Sequence, residues 1–262
     1  SPRLRVHPLS VAHGWSPASM AHAAQKLVAM GYDYIALGGM APLKSPAIHA
    51  ALTAVRDAIP RNVRIHVLGF TKVDDIGDFA CHDIFSVDST SPLLRAFKDA
   101  RNNLYALQAD GTVRYFTALR IPQAIENPKL QRLVKQGELS AEELSRLERR
   151  ALEAVRAYDR GEASIDETLE ALLDYASLIE AGRVNRDQVV SLPLARLEAA
   201  YRETLTHRPW RQCGCGVCRT AGVEMAIFRA SNRNKRRGIH NLQVVKTVID
   251  RLSNPETTHA VV

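Results

Sequence analysis

The chain has 262 residues, 46% of them hydrophobic, and a formal net charge of +7. A chain of this length buries a substantial core, so it does not depend on disulfides to fold. No apolar run approaches the roughly 20 residues of a membrane span, and the opening SPRLRVHPLS lacks the apolar stretch of a signal peptide. The sequence therefore predicts a cytoplasmic protein with no membrane partner.

The positive charge is concentrated toward the carboxyl end. Residues 209–262 carry nine Lys or Arg and three Asp or Glu, a net charge of +6, and the rest of the chain is close to neutral. This asymmetry favours a polyanionic partner such as a nucleic acid, although a basic surface can also serve only solubility.

The first hundred residues alternate β-rich apolar runs with helical patterns. Ser16 is a candidate helix cap, Pro17 suits a first helical turn and Gly31 suits a helix end. A second Ser-Pro start follows at Ser45, with a proline stop at Pro60. The repeated βα unit requires a parallel sheet. Its predicted strands are Leu4–His13, Asp33–Gly39, Val63–Phe70 and Asp83–Ser89.

Each predicted strand ends in polar, glycine or acidic residues. The carboxyl ends of parallel strands are where α/β proteins bind ligands and do chemistry. Four βα units are half of an eight-stranded barrel, and half a barrel would leave two open sheet edges and an unfilled interior. We therefore expect the other half to come from elsewhere. The strand ends carry His13, Gly38, Gly39, Gly69 and Asp88.

The middle of the chain changes character. A hairpin is predicted over Asn103–Leu119 with Asp110 and Gly111 at its turn. Residues 121–207 then read as a helical insertion, with capping boxes that start at Ser140 and Ser164. A coiled-coil arm is the alternative, but the apolar spacing is too irregular for sustained heptads. The predicted domains are 1–120 (barrel half), 121–207 (insertion) and 208–262 (a subdomain with clustered cysteines, a basic segment and a C-terminal helix).

Three of the four cysteines form the pattern C-x-C-x2-C at Cys213, Cys215 and Cys218. A disulfide between the first two would be strained, and the C-x-x-C pair lacks a thioredoxin-like context. Three thiolates on a tight loop suit Zn²⁺, with His240 as the fourth ligand and His207 as its competitor. A closed Cys3His shell predicts a structural metal. The fourth cysteine, Cys81, is predicted to be a small core residue.

Two further features carry alternatives. Asp88 at a strand end is a candidate nucleophile or general base, and it is equally a candidate cap for a helix starting at Ser91. Gly38 and Gly39 would let a ligand approach the backbone, or they only form a tight turn.

The segment RASNRNKRRGIHN, residues 229–241, is a candidate nucleic-acid interface. Its cations could neutralise phosphates, and Asn232 and Asn234 could add hydrogen bonds. A solvated helix start is the alternative. The candidate phosphate contacts are Arg229, Arg233, Lys235, Arg236 and Arg237.

Taken together these motifs resemble the tRNA-guanine transglycosylase family. YIALGGM is similar to the Gly-Gly base-binding strand of that family, HVLGF to its next strand, FSVDST to the strand with the nucleophilic aspartate, and CGCGVC with GIHN to its zinc signature. VDSTSPL, HRPWRQCGCGVC and IFRASNRNKRRGIHN look closest to the branch that inserts 7-deazaguanines such as preQ0 into DNA. The tRNA enzymes are the alternative.

The resemblance implies an α/β fold, the C-terminal half of a (β/α)8 TIM-type barrel with a helical insertion and a zinc subdomain. It implies that Asp88 attacks C1′ of a target deoxyguanosine, whose guanine base must first leave the helical stack. By the resemblance the base pocket is lined by Gly38, Gly39, Met40, Leu68 and Gly69, and His13 replaces a frequent glutamine.

The resemblance covers only the later part of the family pattern. The first four strands of that pattern, with an acidic residue that acts as general acid or base, have no counterpart here. We therefore expect this chain alone not to catalyse exchange, and expect the rest to belong to a longer polypeptide or another chain. The expected partners are DNA, or alternatively tRNA, the 7-deazaguanine base, and other subunits of a DNA-modification system or a homodimer. A non-catalytic accessory subunit and a purely structural zinc protein are the competing hypotheses.

Overall fold

The computed structural model describes residues 6–70, 73–124, 128–181, 192–229 and 231–253. The chain divides into two compact units, one formed by Ser1–Ser91 with Val248–Val262 and the other by Pro92–Thr247. The hairpin, the helical region and the three clustered cysteines, which the sequence assigns to three segments, all fall within the second unit.

The first unit contains a four-stranded sheet in the order β1-β2-β3-β4, with every neighbouring pair parallel. The predicted βα repeat and parallel sheet are thus confirmed, and the barrel stays a prediction. The register aligns Val11, Ala36, His66 and Ser86 across the four strands, so these side chains share one face. The strands are β1 Ser10–Ala12, β2 Tyr34–Leu37, β3 Arg64–Val67 and β4 Ile84–Val87.

Two helices cover the opposite face of this sheet. Helix α1, Pro17–Ala29, begins with the predicted cap, because the Ser16 hydroxyl accepts from the backbone of Ser19 in a capping box. Helix α2, Ser45–Ala58, begins at the second Ser-Pro pair, with Lys44 as its cap residue. A 3-10 helix, Ile76–His82, precedes β4. The buried core between these helices and the sheet includes Met20, Ala24, Ile35, Leu52, Val55 and Ile65.

The second unit begins with helix α3, Ser91–Lys98, and a two-stranded sheet. Strands β5, Leu104–Leu107, and β6, Val113–Phe116, form the predicted antiparallel hairpin. Its turn contains Asp110, whose carboxylate accepts from the Thr112 backbone at 2.9 Å, and Gly111 with a φ of 87°. A second pair, β7 Leu119–Arg120 and β8 Ile227–Phe228, is parallel.

Four helices form most of the second core. They are α4 Pro128–Lys135, α5 Ala141–Arg160, α6 Ile165–Ala181 and α7 Leu192–His207. The predicted capping box at Ser164 is confirmed, since Ser164 and Glu167 exchange hydrogen bonds, and Ser140 caps α5 through the Glu143 backbone without the reciprocal bond of a full box. The apolar spacing that predicted α5 places Leu144, Leu147, Leu152 and Val155 in the core.

Short elements close the second unit. Helices α8, Pro209–Gln212, and α9, Gly216–Ala221, flank the cysteines, and a 3-10 helix, Gly222–Met225, leads to β8. The long helix α10, Ser231–Ser253, contains His240. Among the described residues, no helix is both long and apolar enough to cross a membrane.

Candidate active site and metal centre

Asp88 lies at the carboxyl end of β4, as the sequence predicts. Its backbone continues the pairing with β3, because Asp88 N–H donates to Val67 and Phe70 N–H donates to the Asp88 carbonyl at 2.9 Å. The side chain is 55% exposed, and its Oδ1 accepts from Gly69 N–H at 2.8 Å. The backbone of Ser91 at the start of α3 binds Ser89 Oγ instead. The carboxylate is therefore held toward the sheet and remains accessible.

His66 is a residue at this site that the sequence analysis missed. Its Nε2 lies 3.3 Å from Asp88 Oδ1, and its Nδ1 lies 2.6 Å from Ser86 Oγ. The Tyr34 hydroxyl lies 2.6 Å from the same Ser86 oxygen. The signal that could have found His66 is strand alternation, since Ser86 and Asp88 are two residues apart and His66 pairs with Ser86 in register.

The predicted base-pocket residues follow the ends of β1, β2 and β3. His13 covers Gly38 so closely that a Cβ on Gly38 would lie 2.2 Å from the imidazole Cε1. Gly39 has a φ of 79° and Gly69 a φ of 66°, the left-handed region that favours glycine. The side chain of Met40 is fully buried in the core. These positions therefore offer backbone groups and one imidazole to a ligand, while the methionine side chain supports the fold.

Leu68 continues the ladder beyond β3. Its backbone N–H donates to the Leu37 carbonyl at 3.1 Å, and its side chain is half-buried. Leu68 is thus bonded to the end of β2 and directly precedes Gly69, whose N–H donates to Asp88.

Cys81 is exposed, so the prediction that it is a core residue was wrong. It belongs to the 3-10 helix Ile76–His82, whose buried side chains are those of Phe79 and His82. The His49 Nδ1 lies 2.9 Å from His82 Nε2, and His49 stacks on Phe79 with ring centroids 4.0 Å apart. Burial, with the neighbouring imidazole of His49 and the Arg56 guanidinium, lowers the pKa of His82. The two imidazoles are therefore joined by a hydrogen bond, and the lowered pKa favours the neutral form of His82.

The four predicted metal ligands lie together in the second unit. Cys213 follows α8, Cys215 caps α9, Cys218 lies within α9, and His240 lies in α10. The His240 Nδ1 is 3.6, 3.5 and 3.3 Å from the three sulfurs in chain order. All four donor atoms lie within 4.8 Å of one another. Since Cys218 and His240 are buried, the group forms an enclosed site that can hold a metal ion.

His240 rather than His207 faces the sulfurs. The His207 ring nitrogens lie 3.0 Å from the Glu203 carbonyl and 3.0 Å from the Arg114 guanidinium. His240 Nε2 lies 2.7 Å from the Tyr105 carbonyl oxygen, which directs Nδ1 at the cysteines. The competition that the sequence left open is thereby decided for His240.

Hydrogen bonds among the sulfurs shift their proton affinities. The pKa of the Cys213 thiol is lowered to about 3, first because Cys218 donates to it. The pKa of Cys218 is raised for the reciprocal reason, with burial adding to the effect. Burial lowers the pKa of His240, but hydrogen bonds to Cys213 and Cys215 outweigh burial and raise it to about 9. The shifts therefore favour a thiolate at Cys213, whereas Cys218 and His240 must give up their protons when they bind a metal ion.

Three of the five residues predicted to contact phosphate instead bind other groups of the protein. Arg229 pairs with Glu148, and Arg233 Nε donates to Glu224 at 2.7 Å. Arg237 is fully buried, donates to the carbonyls of Ile227 and Ala96, and lies over the Phe228 ring. A guanidinium placed in this way cannot reach a phosphate, so the contact predicted for Arg237 is replaced by a packing role. The exposed cations are Lys235 and Arg236.

A scan against models of protein families matches none to this chain. Its parallel α/β sheet, the carboxylate at a strand end and the Cys3His group agree with the resemblance to the guanine transglycosylases, and a relative of that kind matches most of this chain. It is 38% identical over 238 residues to the DNA-guanine transglycosylase of Salmonella montevideo, a match that covers 91% of this chain. The same match covers 54% of the relative, so the chain spans about half the length of the curated protein it matches.

Proposed function

We propose that this chain carries the nucleophile of an enzyme that exchanges guanine in DNA for a 7-deazaguanine base of the preQ0 type. The observation that carries the proposal is the Asp88 carboxylate, exposed at the end of a parallel strand and held by Gly69 N–H at 2.8 Å. The name of the Salmonella relative supports DNA as the substrate. A carboxylate nucleophile supports exchange through a covalent glycosyl intermediate, as in retaining glycosidases.

The reaction has two balanced steps. A carboxylate oxygen of Asp88 forms a bond to C1′ of the target deoxyguanosine, and the C1′–N9 bond breaks. Its electron pair leaves with guanine, which takes up a proton. In the second step the 7-deazaguanine nitrogen, having lost its proton, attacks C1′ and releases the Asp88 carboxylate.

The groups around Asp88 suggest where the base binds. Gly38, Gly39 and Gly69 present backbone at adjacent strand ends, and two of them adopt conformations that a larger residue would strain. The His13 imidazole over Gly38 provides a flat ring with two nitrogens for a base edge. We infer that the extruded base lies over these strand ends, with Leu68 and the Met40 backbone completing the pocket.

We propose that the Cys3His group binds Zn²⁺ as a structural ion. Tetrahedral zinc with its usual bond lengths to sulfur and nitrogen places the two kinds of ligand about 3.5 Å apart. The distances from His240 Nδ1 to the sulfurs, 3.3 to 3.6 Å, fit that geometry. Four protein ligands leave no open position for substrate. The ion would then hold α9 and α10 together and stabilise the second unit.

DNA contacts are proposed at Lys235 and Arg236, the two exposed cations of the basic segment. They project from the first turns of α10 and can neutralise backbone phosphates. Arg229 and Arg233 have carboxylate partners, so we propose no direct contact with DNA for them. Their ion pairs hold the start of α10 and the residues before it in place.

The four-stranded sheet is proposed to be completed into a barrel by strands outside this chain. The described strands β1 and β4 are the edges of the sheet, and the relative is nearly twice as long as the matched region. The missing half would supply the general acid or base, on a longer polypeptide or another subunit. The isolated 262-residue chain is therefore expected to be inactive, and guanine release by it alone would contradict the proposal.

The decisive experiment traps the glycosyl-enzyme on DNA in denaturing gels, using this chain assembled with the polypeptide that completes the barrel. Asp88→Asn should abolish the covalent adduct and leave DNA binding intact. Asp83→Asn is the matched control, because Asp83 is an exposed acid just before β4, at the opposite end of the strand. An adduct that survives Asp88→Asn would refute the nucleophile. Binding to tRNA with adduct formation there, and none on DNA, would refute the DNA substrate.

A further inference from the structure

We propose that His66 is a positioning residue for Asp88, at the end of a directed hydrogen-bond chain from Tyr34 through Ser86, and that Asp88 Oδ2 is the attacking oxygen. This inference rests on the proposed role of Asp88 as the nucleophile. It assigns a function to three side chains that lie on the open face of the sheet.

Among the described residues, two donors contact the Asp88 carboxylate, and both act on the same oxygen. Gly69 N–H donates to Oδ1 at 2.8 Å, and His66 Nε2 lies 3.3 Å from Oδ1. A lone pair that accepts a hydrogen bond is less available for attack, and two donors on one oxygen also fix the plane of the carboxylate. The consequence is that Oδ1 anchors the group while Oδ2 is presented to C1′.

The chemistry of the partners fixes the direction of the chain. An ionised carboxylate only accepts hydrogen bonds, so the His66 proton must be on Nε2. We infer the tautomer in which Nδ1 is left as an acceptor, so that Ser86, 2.6 Å away, donates to it. The Ser86 oxygen in turn accepts from the Tyr34 hydroxyl at 2.6 Å. Every donor therefore points toward Asp88, and one tautomer of His66 satisfies all the contacts.

The surroundings hold this chain in place. The His66 side chain is only 13% exposed, whereas Asp88 is 55% exposed. At the far end, the Arg64 guanidinium lies over the Tyr34 ring at 4.9 Å, and Phe85 meets that ring edge-on with centroids 5.5 Å apart. A sheltered relay that ends on an exposed carboxylate is an arrangement that orients a reactive group.

The first test is the tautomer of His66 in the 262-residue chain itself. Long-range ¹H–¹⁵N spectra of the imidazoles, assigned with His66→Gln, should show His66 with its proton on Nε2 and none on Nδ1. Ser86→Ala removes the donor to Nδ1 and should convert this signal to a mixture of tautomers. A His66 protonated at Nδ1 alone, or insensitivity to Ser86→Ala, would overturn the directed chain.

The second test measures the rate of glycosyl-enzyme formation in a single turnover of the assembled enzyme. His66→Leu should slow adduct formation by on the order of 10- to 100-fold with unchanged DNA affinity, the usual effect of losing an orienting partner. His66→Gln keeps an N–H donor and should recover part of the loss. His22→Leu is the control, since His22 is exposed on α1.

A double-mutant cycle separates positioning from packing. Ser86→Ala should slow the wild-type enzyme but have no further effect in the His66→Leu background, because the relay is already broken. The inference would be wrong if the two substitutions slowed adduct formation additively, or if His66→Leu formed the adduct at the wild-type rate. Asp88→Asn is run in parallel: if it leaves the adduct intact, the proposed function fails rather than the role of His66.

Discussion

His240 and Asn241 hold the two backbone polar groups of one residue, Tyr105. The His240 Nε2 lies 2.7 Å from the Tyr105 carbonyl oxygen, and the Tyr105 N–H donates to Asn241 Oδ1 at 3.0 Å. Asn241 Nδ2 also donates to the carbonyls of Pro92 and Asn103, each at 3.1 Å. The Ile-His-Asn sequence thus attaches α10 to strand β5, and the same contacts orient His240, the proposed metal ligand.

Replacing Asn241 should destabilise the protein and weaken its metal site. Asn241→Leu leaves a buried backbone N–H and two carbonyls without their partner, which costs about 1–3 kcal/mol for each group that water cannot reach. The unfolding free energy from urea titration should fall by several kcal/mol, and metal affinity by about 10- to 100-fold. Asn232→Leu, at an exposed position of the same helix, should change neither. Equal effects of the two substitutions would remove the special role of Asn241.

Metal content should follow the four ligands and ignore the fourth cysteine. Cys218→Ser and His240→Ala should each lose close to one equivalent of zinc in elemental analysis, with a lowered melting temperature, because metal binding is coupled to folding. Cys81→Ser should keep the full content, since that thiol is exposed in the first unit. A chelator should lower the melting temperature of the wild type toward that of Cys218→Ser. Retention of the metal by Cys218→Ser would rule out the proposed ligand set.

The basic segment should divide by burial into cations that bind DNA and cations that stabilise the fold. Lys235→Gln and Arg236→Gln should each weaken DNA binding and reduce the slope of log K against log salt by about 1, with stability unchanged. Arg237→Met removes a buried guanidinium and leaves carbonyl and amide acceptors unpaired, so it should lower the unfolding free energy by about 2–4 kcal/mol. A salt slope that changes with Arg237 and not with Lys235 or Arg236 would reverse this division.

Local patterns predicted most elements correctly because each has a local physical cause. The Ser16 cap, the Asp110-Gly111 turn, the Ser140 cap and the capping box at Ser164 depend on residues at most three apart. The spacing of the three cysteines predicts them as metal ligands, His240 and His207 are the candidates for the fourth, and the resemblance to a zinc signature favours His240.

The misses share the opposite property, since they depend on contacts between residues distant in sequence. In the sequence, Arg237 is one of a run of cations. Only the fold shows that its guanidinium donates to the carbonyl of Ala96, which is 141 residues away in the chain. His66 reads as one residue of an apolar strand until the register with Ser86 is known. Cysteine is a residue type that is often buried, but Cys81 is exposed in a 3-10 helix. In each case contacts made in the folded protein, and not the local sequence, determine the burial and the partners of the residue.

Glu224 should make the stability of the second unit depend on pH. Burial alone would raise the pKa of this carboxyl, but hydrogen bonds from Arg156 and Arg233 outweigh burial and lower it. Because the folded carboxylate binds its proton more weakly, the unfolded chain takes up protons first as the pH falls below about 5. The stabilisation is therefore present at neutral pH and is lost as the pH falls through the folded pKa.

Glu224→Gln should lower the unfolding free energy at pH 7 by about 1–3 kcal/mol, and its difference from the wild type should shrink toward pH 3. The measurement is urea unfolding at a series of pH values. Glu162→Gln is the control, because Glu162 also pairs with an arginine, Arg160, but is fully exposed and should leave the profile unchanged. A constant difference between wild type and Glu224→Gln across the pH range would contradict the assignment.

The contact between His13 and Gly38 should set the shape of the base pocket. A Cβ at residue 38 would lie 2.2 Å from the imidazole, closer than real atoms approach, so Gly38→Ala must displace His13. His13 is exposed and free to move outward, so the unfolding free energy should change by less than about 1 kcal/mol. Base affinity in the assembled enzyme, followed by isothermal titration with a 7-deazaguanine, should nevertheless fall at least 10-fold. Gly77→Ala is the matched control, since its Cβ would meet Leu252 at an ordinary 3.8 Å. If His13→Ala binds the base as the wild type does while Gly38→Ala does not, the backbone at Gly38 rather than the imidazole recognises the ligand.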